Sequence, residues 1–126
     1  MEQLDLGKHY LVEFSGCNRD LLDDEIALRS SLVAAVALSG AKIIKDIFHK
    51  FAPQGVTGVV VISESHVAIH TWPEYYYAAV DIFTCSSRMN VDFFIQEFRK
   101  ATQAQDVFLV EATRGPNSAA KISRNP

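Results

Sequence analysis

Residues 56–85 read VTGVVVISESHVAIHTWPEYYYAAVDIFTC. The run opens on VTGVVVIS, continues through HVAIHTW, breaks at Pro73 and Glu74, and resumes as YYYAAVDIFTC. Short β-branched and aromatic runs separated by a proline are the pattern of successive strands joined by tight connections. VTGVVVIS is apolar on both faces, which predicts a central strand covered on both sides. Yet the same stretch concentrates Glu64, Ser65, His66, His70, Trp72, Glu74, Asp81 and Cys85. Strand interiors rarely hold that much titratable and nucleophilic chemistry.

Working outward, KHYLVEFSGC alternates weakly up to Gly16 and Cys17 and predicts a first strand. Asp20 stands where a helix N-cap is expected, and Asp23, Asp24 and Glu25 suit the positive end of a helix dipole. Leu22, Ile26, Val33 and Ala37 fall on one helical face, and Gly40 is a natural stop. AKIIKDIFHKF predicts a strand closed by the turn signal APQG. Asn90 caps a second helix that carries Val91, Phe94 and Phe98 on one side, DVFLVEAT closes as a last strand, and 115–126 is expected to be a disordered tail. The order β-α-β-β-β-β-α-β, rich in hairpin links, predicts an α+β two-layer sandwich with a mostly antiparallel sheet and two helices on one face. Two helices cover only one sheet face, so the other is expected to bury against a second copy in a homodimer.

A chain of 126 residues with 48% hydrophobic content fits a single domain, 1–126. Net charge is −3 and the basic residues are scattered, which argues against nucleic acid as a partner. The N-terminal stretch carries Glu2, Asp5 and Glu13 and no long apolar run, so neither a signal peptide nor a membrane span is expected. Cys17 and Cys85 lie far apart without a CxxC pattern, consistent with reduced thiols in a cytoplasmic protein. Cys17, His9 and His49 read as structural. Alternation sets Asp81 and Cys85 on one strand face.

Three chemistries compete for the polar cluster. His66 and His70 are four apart, about 13 Å along a strand, too far to share one metal ion, so no metal site is expected. A Ser-His hydrolase would use a G-x-S-x-G elbow, which Ser65 lacks. The third option makes the backbone the substrate. A serine hydroxyl at a tight turn attacks the preceding carbonyl, here that of Glu64, and converts amide to ester. A base then removes the Ser65 α-proton, the ester breaks by elimination, and hydrolysis leaves a pyruvoyl group. His70 can serve as the base and Thr57 as a hydroxyl that steadies the oxyanion. A pyruvoyl carbonyl is an electron sink that does, through a Schiff base, what a pyridoxal cofactor does.

The string SESHVAIHTWPE followed by DIFTC closely resembles the short prokaryotic form of the S-adenosylmethionine decarboxylase proenzyme, a pyruvoyl-dependent family of spermidine synthesis. The resemblance runs from GKHYLVEF to VEATRG. It implies self-cleavage between Glu64 and Ser65, giving a β chain 1–64 and an α chain 65–126. Ser65 matches the pyruvoyl precursor, His70 the processing base, and Cys85 the thiol that protonates the substrate carbon after carbon dioxide leaves. Phe51 and Trp72 match positions that stack adenine, and Glu74 one that holds the ribose. Thr57 stands where the family pattern has a serine and keeps the hydroxyl on a stiffer side chain. The implied partners are S-adenosylmethionine and a second copy of the chain, and the implied cofactor is the pyruvoyl group alone. Two other readings stand beside this one. A pyruvoyl-dependent decarboxylase of free ornithine or arginine would not need the clamp of Phe51, Trp72 and Glu74. An unprocessed, non-catalytic paralogue would remain a single chain.

Overall fold

A computed structural model describes residues 5–63, 65–85, 87–116 and 121–125, the last by backbone alone. Seven strands form one sheet: β1 (Gly7–Ser15), β2 (Ile43–Lys50), β3 (Val56–Ile62), β4 (Ser65–Trp72), β5 (Tyr77–Thr84), β6 (Asp106–Arg114) and β7 (Lys121–Asn125). Their order across the sheet is β2-β3-β4-β5-β1-β6-β7, and every neighbouring pair is antiparallel. Helices α1 (Arg19–Leu22), α2 (Glu25–Leu38) and α3 (Val91–Thr102) supply the second layer. This is the expected α+β sandwich, with the expected order of its main elements.

Differences from the sequence reading have local causes. Asp20 is not a cap: Asn18 caps α1 through the Leu21 N–H, and Asp24 caps α2 through the Ala27 N–H. The break between α1 and α2 shifts the buried stripe to Leu28, Leu32, Ala35 and Val36, leaving Ile26 77% exposed. Strand β3 buries Val56, Gly58, Val60 and Ile62, but Val61 on its other face is exposed. The strand is therefore not covered on both sides within one chain. The expected disordered tail fails over Lys121–Asn125, which pairs with β6 from Leu109↔Asn125 to Thr113↔Lys121. The free edge of β6 provides ladder partners that composition does not reveal; residues 117–120 and 126 lie outside the described residues.

Alternation along each strand makes one sheet face apolar. Val12, Phe14, Val60, Val67, Ile69, Val80 and Ile82 are fully or almost fully buried there against Leu28, Leu32, Val36, Phe94 and Phe98. Asn90 caps α3 as expected, and the Phe94 and Phe98 rings stack 5.7 Å apart. Gly58 has a steric reason: a Cβ there would run into the Phe48 ring on β2. The opposite face carries Leu11, Ile47, Val61, Trp72 and Phe108 exposed among polar neighbours. No element among the described residues lies over it, and the cluster from the opening stretch is distributed along it and around its ends.

Candidate active site

Strand β4 has two differently equipped ends. At its start, Ser65 pairs with Ile62 of β3 and Thr84 of β5. The Ser63 N–H donates to the Lys42 carbonyl at 2.8 Å and fixes the turn that leads into it. Cys85 follows Thr84 directly, beyond the end of β5, and its thiol is exposed. Ser65 thus lies at the first paired position of β4, and Cys85 just past the last residue of the neighbouring β5.

A cavity of about 350 Å³ opens here, with Gly7, Lys8, Tyr10, Thr84, Cys85 and Met89 among its walls. Burial, with the Glu111 carboxylate adding to it, pushes the Tyr10 hydroxyl up to about 12. The Tyr10 hydroxyl is engaged by Glu111, its cross-strand partner on β6, while the residue forms part of the cavity wall.

The far end of β4 holds a hydroxyl, an imidazole and several rings. Thr57 and His70 are cross-strand partners, and Thr57 Oγ1 lies 3.1 Å from His70 Nδ1. Trp72, 40% exposed, sits 6.5 Å from the His70 ring, centroid to centroid. Its other aromatic neighbour is Tyr77, the cross-strand partner, stacked at 5.3 Å and 24°. Glu74 lies in the 3-10 turn Pro73–Tyr75, exposed, between Trp72 and the left-handed residue Tyr76. Phe51, 47% exposed, packs edge-on to His49 at 4.6 Å.

The loop that carries Phe51 is anchored from the helix layer. The Gly55 N–H donates to Asp23 Oδ1 at 2.8 Å, and Lys50 Nζ reaches the same oxygen at 2.9 Å. These two partners, Gly55 first, hold the Asp23 carboxyl below the usual carboxylate range. Gly55 itself has φ of +103°, a conformation that favours glycine. Thr71 adds a second tie: it accepts from the Val56 N–H at 2.9 Å and donates to the Leu22 carbonyl at 2.8 Å.

The structure therefore brings Ser65 to Cys85, and Thr57 to His70 and Trp72. It does not bring His70 to the Ser65 of the same chain. Five residues of strand separate them, about 17 Å. Glu64 lies outside the described residues. Asp81 does not engage the thiol; its carboxylate lies 3.8 Å from His9 Nε2 on the open face. Two residues that sequence reasoning passed over belong to the far cluster. The Tyr77 hydroxyl donates to Glu13 Oε2 at 2.6 Å, and alternation from Asp81 back to Tyr77 was the signal that placed it on this face. Among the described residues, no group of three or more His, Cys, Asp or Glu side chains is placed to hold a metal ion, and no helix is long and apolar enough to cross a membrane.

Residues 8–115 match the family model described as S-adenosylmethionine decarboxylase. The chain is 44% identical over 120 residues to the S-adenosylmethionine decarboxylase proenzyme of Thermosipho melanesiensis, covering 95% of this chain and 92% of that one. It is 47% identical over 121 residues to the proenzyme of Moorella thermoacetica, covering 94% and 97%. The crystal structure of the adenosylmethionine decarboxylase from Aquifex aeolicus superposes with a TM-score of 0.81 at 28% identity, over 94% of this chain and all of that one. A Trypanosoma brucei AdoMetDC structure shares the fold at a TM-score of 0.63 and 12% identity, with 89% of this chain covering 48% of that one. The chain belongs to the S-adenosylmethionine decarboxylase family.

Proposed function

We propose that this single domain, 1–126, is a proenzyme that cuts its own backbone between Glu64 and Ser65 and then decarboxylates S-adenosylmethionine. The product is decarboxylated S-adenosylmethionine, the aminopropyl donor for spermidine. The observation that carries this reading is the division of the machinery: Ser65 and Cys85 at one end of β4, Thr57, His70 and Trp72 at the other. Neither end is sufficient alone. A two-fold axis through the open sheet face would exchange the ends and set the His70 end of one chain against the Ser65 end of its partner. The exposed apolar side chains of that face, Leu11, Ile47, Val61 and Phe108, supply a reason for two copies to associate. The working unit is accordingly a homodimer with two shared sites.

Processing uses the chain's own groups. The Ser65 hydroxyl adds to the Glu64 carbonyl carbon, the C–N bond breaks, and an ester remains. In the tautomer with hydrogen on Nδ1, His70 donates to Thr57 Oγ1 across the 3.1 Å contact. That arrangement leaves the Thr57 O–H free to donate to an oxyanion and Nε2 free to accept the Ser65 α-proton. Elimination of the Glu64 carboxylate leaves a dehydroalanine at the new end of the 65–126 chain; its imine tautomer takes up water and loses ammonia, which leaves the pyruvoyl end.

A pyruvoyl group fits the residues present. It would arise from Ser65 itself, at a strand end paired with Thr84, one wall of the 350 Å³ cavity. The group supplies a carbonyl electron sink for loss of carbon dioxide. Around it, Cys85 holds a proton on Sγ for the substrate α-carbon, while Tyr10 forms part of the cavity wall. Across the shared site, Trp72 and Phe51 offer exposed rings for adenine and Glu74 a carboxylate for the ribose hydroxyls. Two free cysteines accord with a cytoplasmic setting.

Intact mass spectrometry combined with carbon dioxide release tests the proposal. The expected result is two chains, 1–64 and 65–126, the second with a pyruvoyl mass, and release from S-adenosylmethionine but not from ornithine or arginine. A stable uncut chain, or release only from a free amino acid, would overturn it.

A further inference from the structure

The open sheet face carries contacts behind Trp72, from Glu13 and Tyr77, to which the proposed chemistry assigns no role. Glu13 on β1 accepts the Tyr77 hydroxyl at 2.6 Å, a short charge-assisted bond. The two residues are diagonal neighbours, since Ser15 pairs with Tyr77 and Glu13 with Ala79. Tyr77 in turn stacks on Trp72 at 5.3 Å with 24° between the planes, and Trp72 flanks His70. Burial and then the Glu13 bond push the Tyr77 hydroxyl well above its ordinary value, so it stays a donor across the physiological range. A tyrosine held by its hydroxyl at one end and by its ring at the other has little freedom to rotate. It offers Trp72 a fixed surface to lean on, while the indole remains 40% exposed.

We infer that Tyr77, locked by Glu13, is a positioning residue that fixes the Trp72 indole to receive the purine of the substrate. The inference rests on the reading of Trp72 as a nucleoside platform and adds what orients it. Stacking energy depends on interplanar geometry, so a freely rotating indole would bind a purine more weakly than one already oriented. The effect should fall on binding rather than on the chemical step, because neither Tyr77 nor Glu13 reaches the reacting atoms.

Trp72 is the only tryptophan in the chain, so intrinsic tryptophan emission reports on this position alone. The processed enzyme is titrated with 5′-methylthioadenosine, a nucleoside without the amino acid that undergoes decarboxylation, and emission is followed under selective tryptophan excitation. Wild-type emission should change saturably. In Tyr77→Phe and in Glu13→Leu the Kd for this probe should rise about three- to tenfold. KM for S-adenosylmethionine should rise by a similar factor, with kcat lowered by no more than about twofold. Glu13→Gln keeps an oxygen that can accept the bond and should recover most of the affinity. The double variant Tyr77→Phe/Glu13→Leu should be no worse than either single change, because both remove one interaction. Wild-type affinity in both single variants, additive losses in the double variant, or a fall in kcat at unchanged KM would overturn the inference. A wild-type titration with no change in emission would instead remove the nucleoside reading of Trp72, and the inference with it.

Discussion

The two ends of strand β4 are built from the same hairpin and carry different chemistry. The Ser65 end is a strand terminus beside a cavity, with an exposed thiol but, among the described residues, no imidazole paired with the serine in the same chain. The Trp72 end is a packed cluster of hydroxyl, imidazole and rings, with its adjoining loop tied down by Asp23. In the function we propose, one end supplies the group that is transformed and the other the groups that transform it and grip the nucleoside. On that proposal the strand holds the two ends apart, an isolated chain lacks a complete site, and self-cleavage is coupled to assembly across the open face.

Changes at the two ends should therefore affect different steps. Cys85→Ala should leave the cut intact and lower the decarboxylation rate by about 10²- to 10⁴-fold, the range for a lost general acid; mass spectrometry and carbon dioxide release on the same sample separate the two. Equal loss of cleavage would mean that Cys85 also serves processing. At the other end, Thr57→Val should slow cleavage about tenfold or more, the cost of one lost oxyanion donor, whereas Thr57→Ser should cleave at least as fast as wild type. A time course of chain appearance reads this directly.

The smallest expected effect concerns the anchor of the Phe51 loop. Asp23 has its folded-state pKa lowered by the Gly55 N–H and then by Lys50. Its contribution is thus present above the unfolded-state value and lost as pH falls through the folded-state value. Thermal melts of wild type and Asp23→Asn should differ at pH 7 and converge in acid below the ordinary aspartate range. The shift should be a few degrees at most, because the carboxylate is screened by solvent.

Much of this was legible in residues 56–85. Proline at 73, β-branched runs and the Asn90 cap specify strands and a helix through local rules, and the run β2-β3-β4-β5 follows from hairpin links, whereas the insertion of β1 between β5 and β6 does not. The stripe of α2 was misread because two caps, Asn18 and Asp24, compete within seven residues, and only tertiary packing decides where the helix restarts. Strand β7 was missed because KISRN is short and polar and gains its order by pairing with the edge of the preceding strand β6, which its own composition does not signal. The residue types of the site were visible as a string. Their separation into two ends follows from the same strand rise that sets His66 and His70 about 13 Å apart, since Ser65 and His70 lie five steps apart on one strand. Glu13 was hidden because it joins Tyr77 across 64 residues of chain, where no local pattern reaches.

The central claim is that Ser65 and His70 act on each other across two chains. Ser65→Ala and His70→Ala chains, each given a distinguishable tag, should fail to produce a pyruvoyl-bearing fragment when expressed alone. Co-expressed, they form mixed dimers in which one site pairs the intact Ser65 of the His70→Ala chain with the intact His70 of the Ser65→Ala chain. Intact mass spectrometry should then find a pyruvoyl-bearing 65–126 fragment, derived solely from the His70→Ala chain. Mixed dimers that yield no such fragment, or a His70→Ala chain that forms it on its own, would contradict the account.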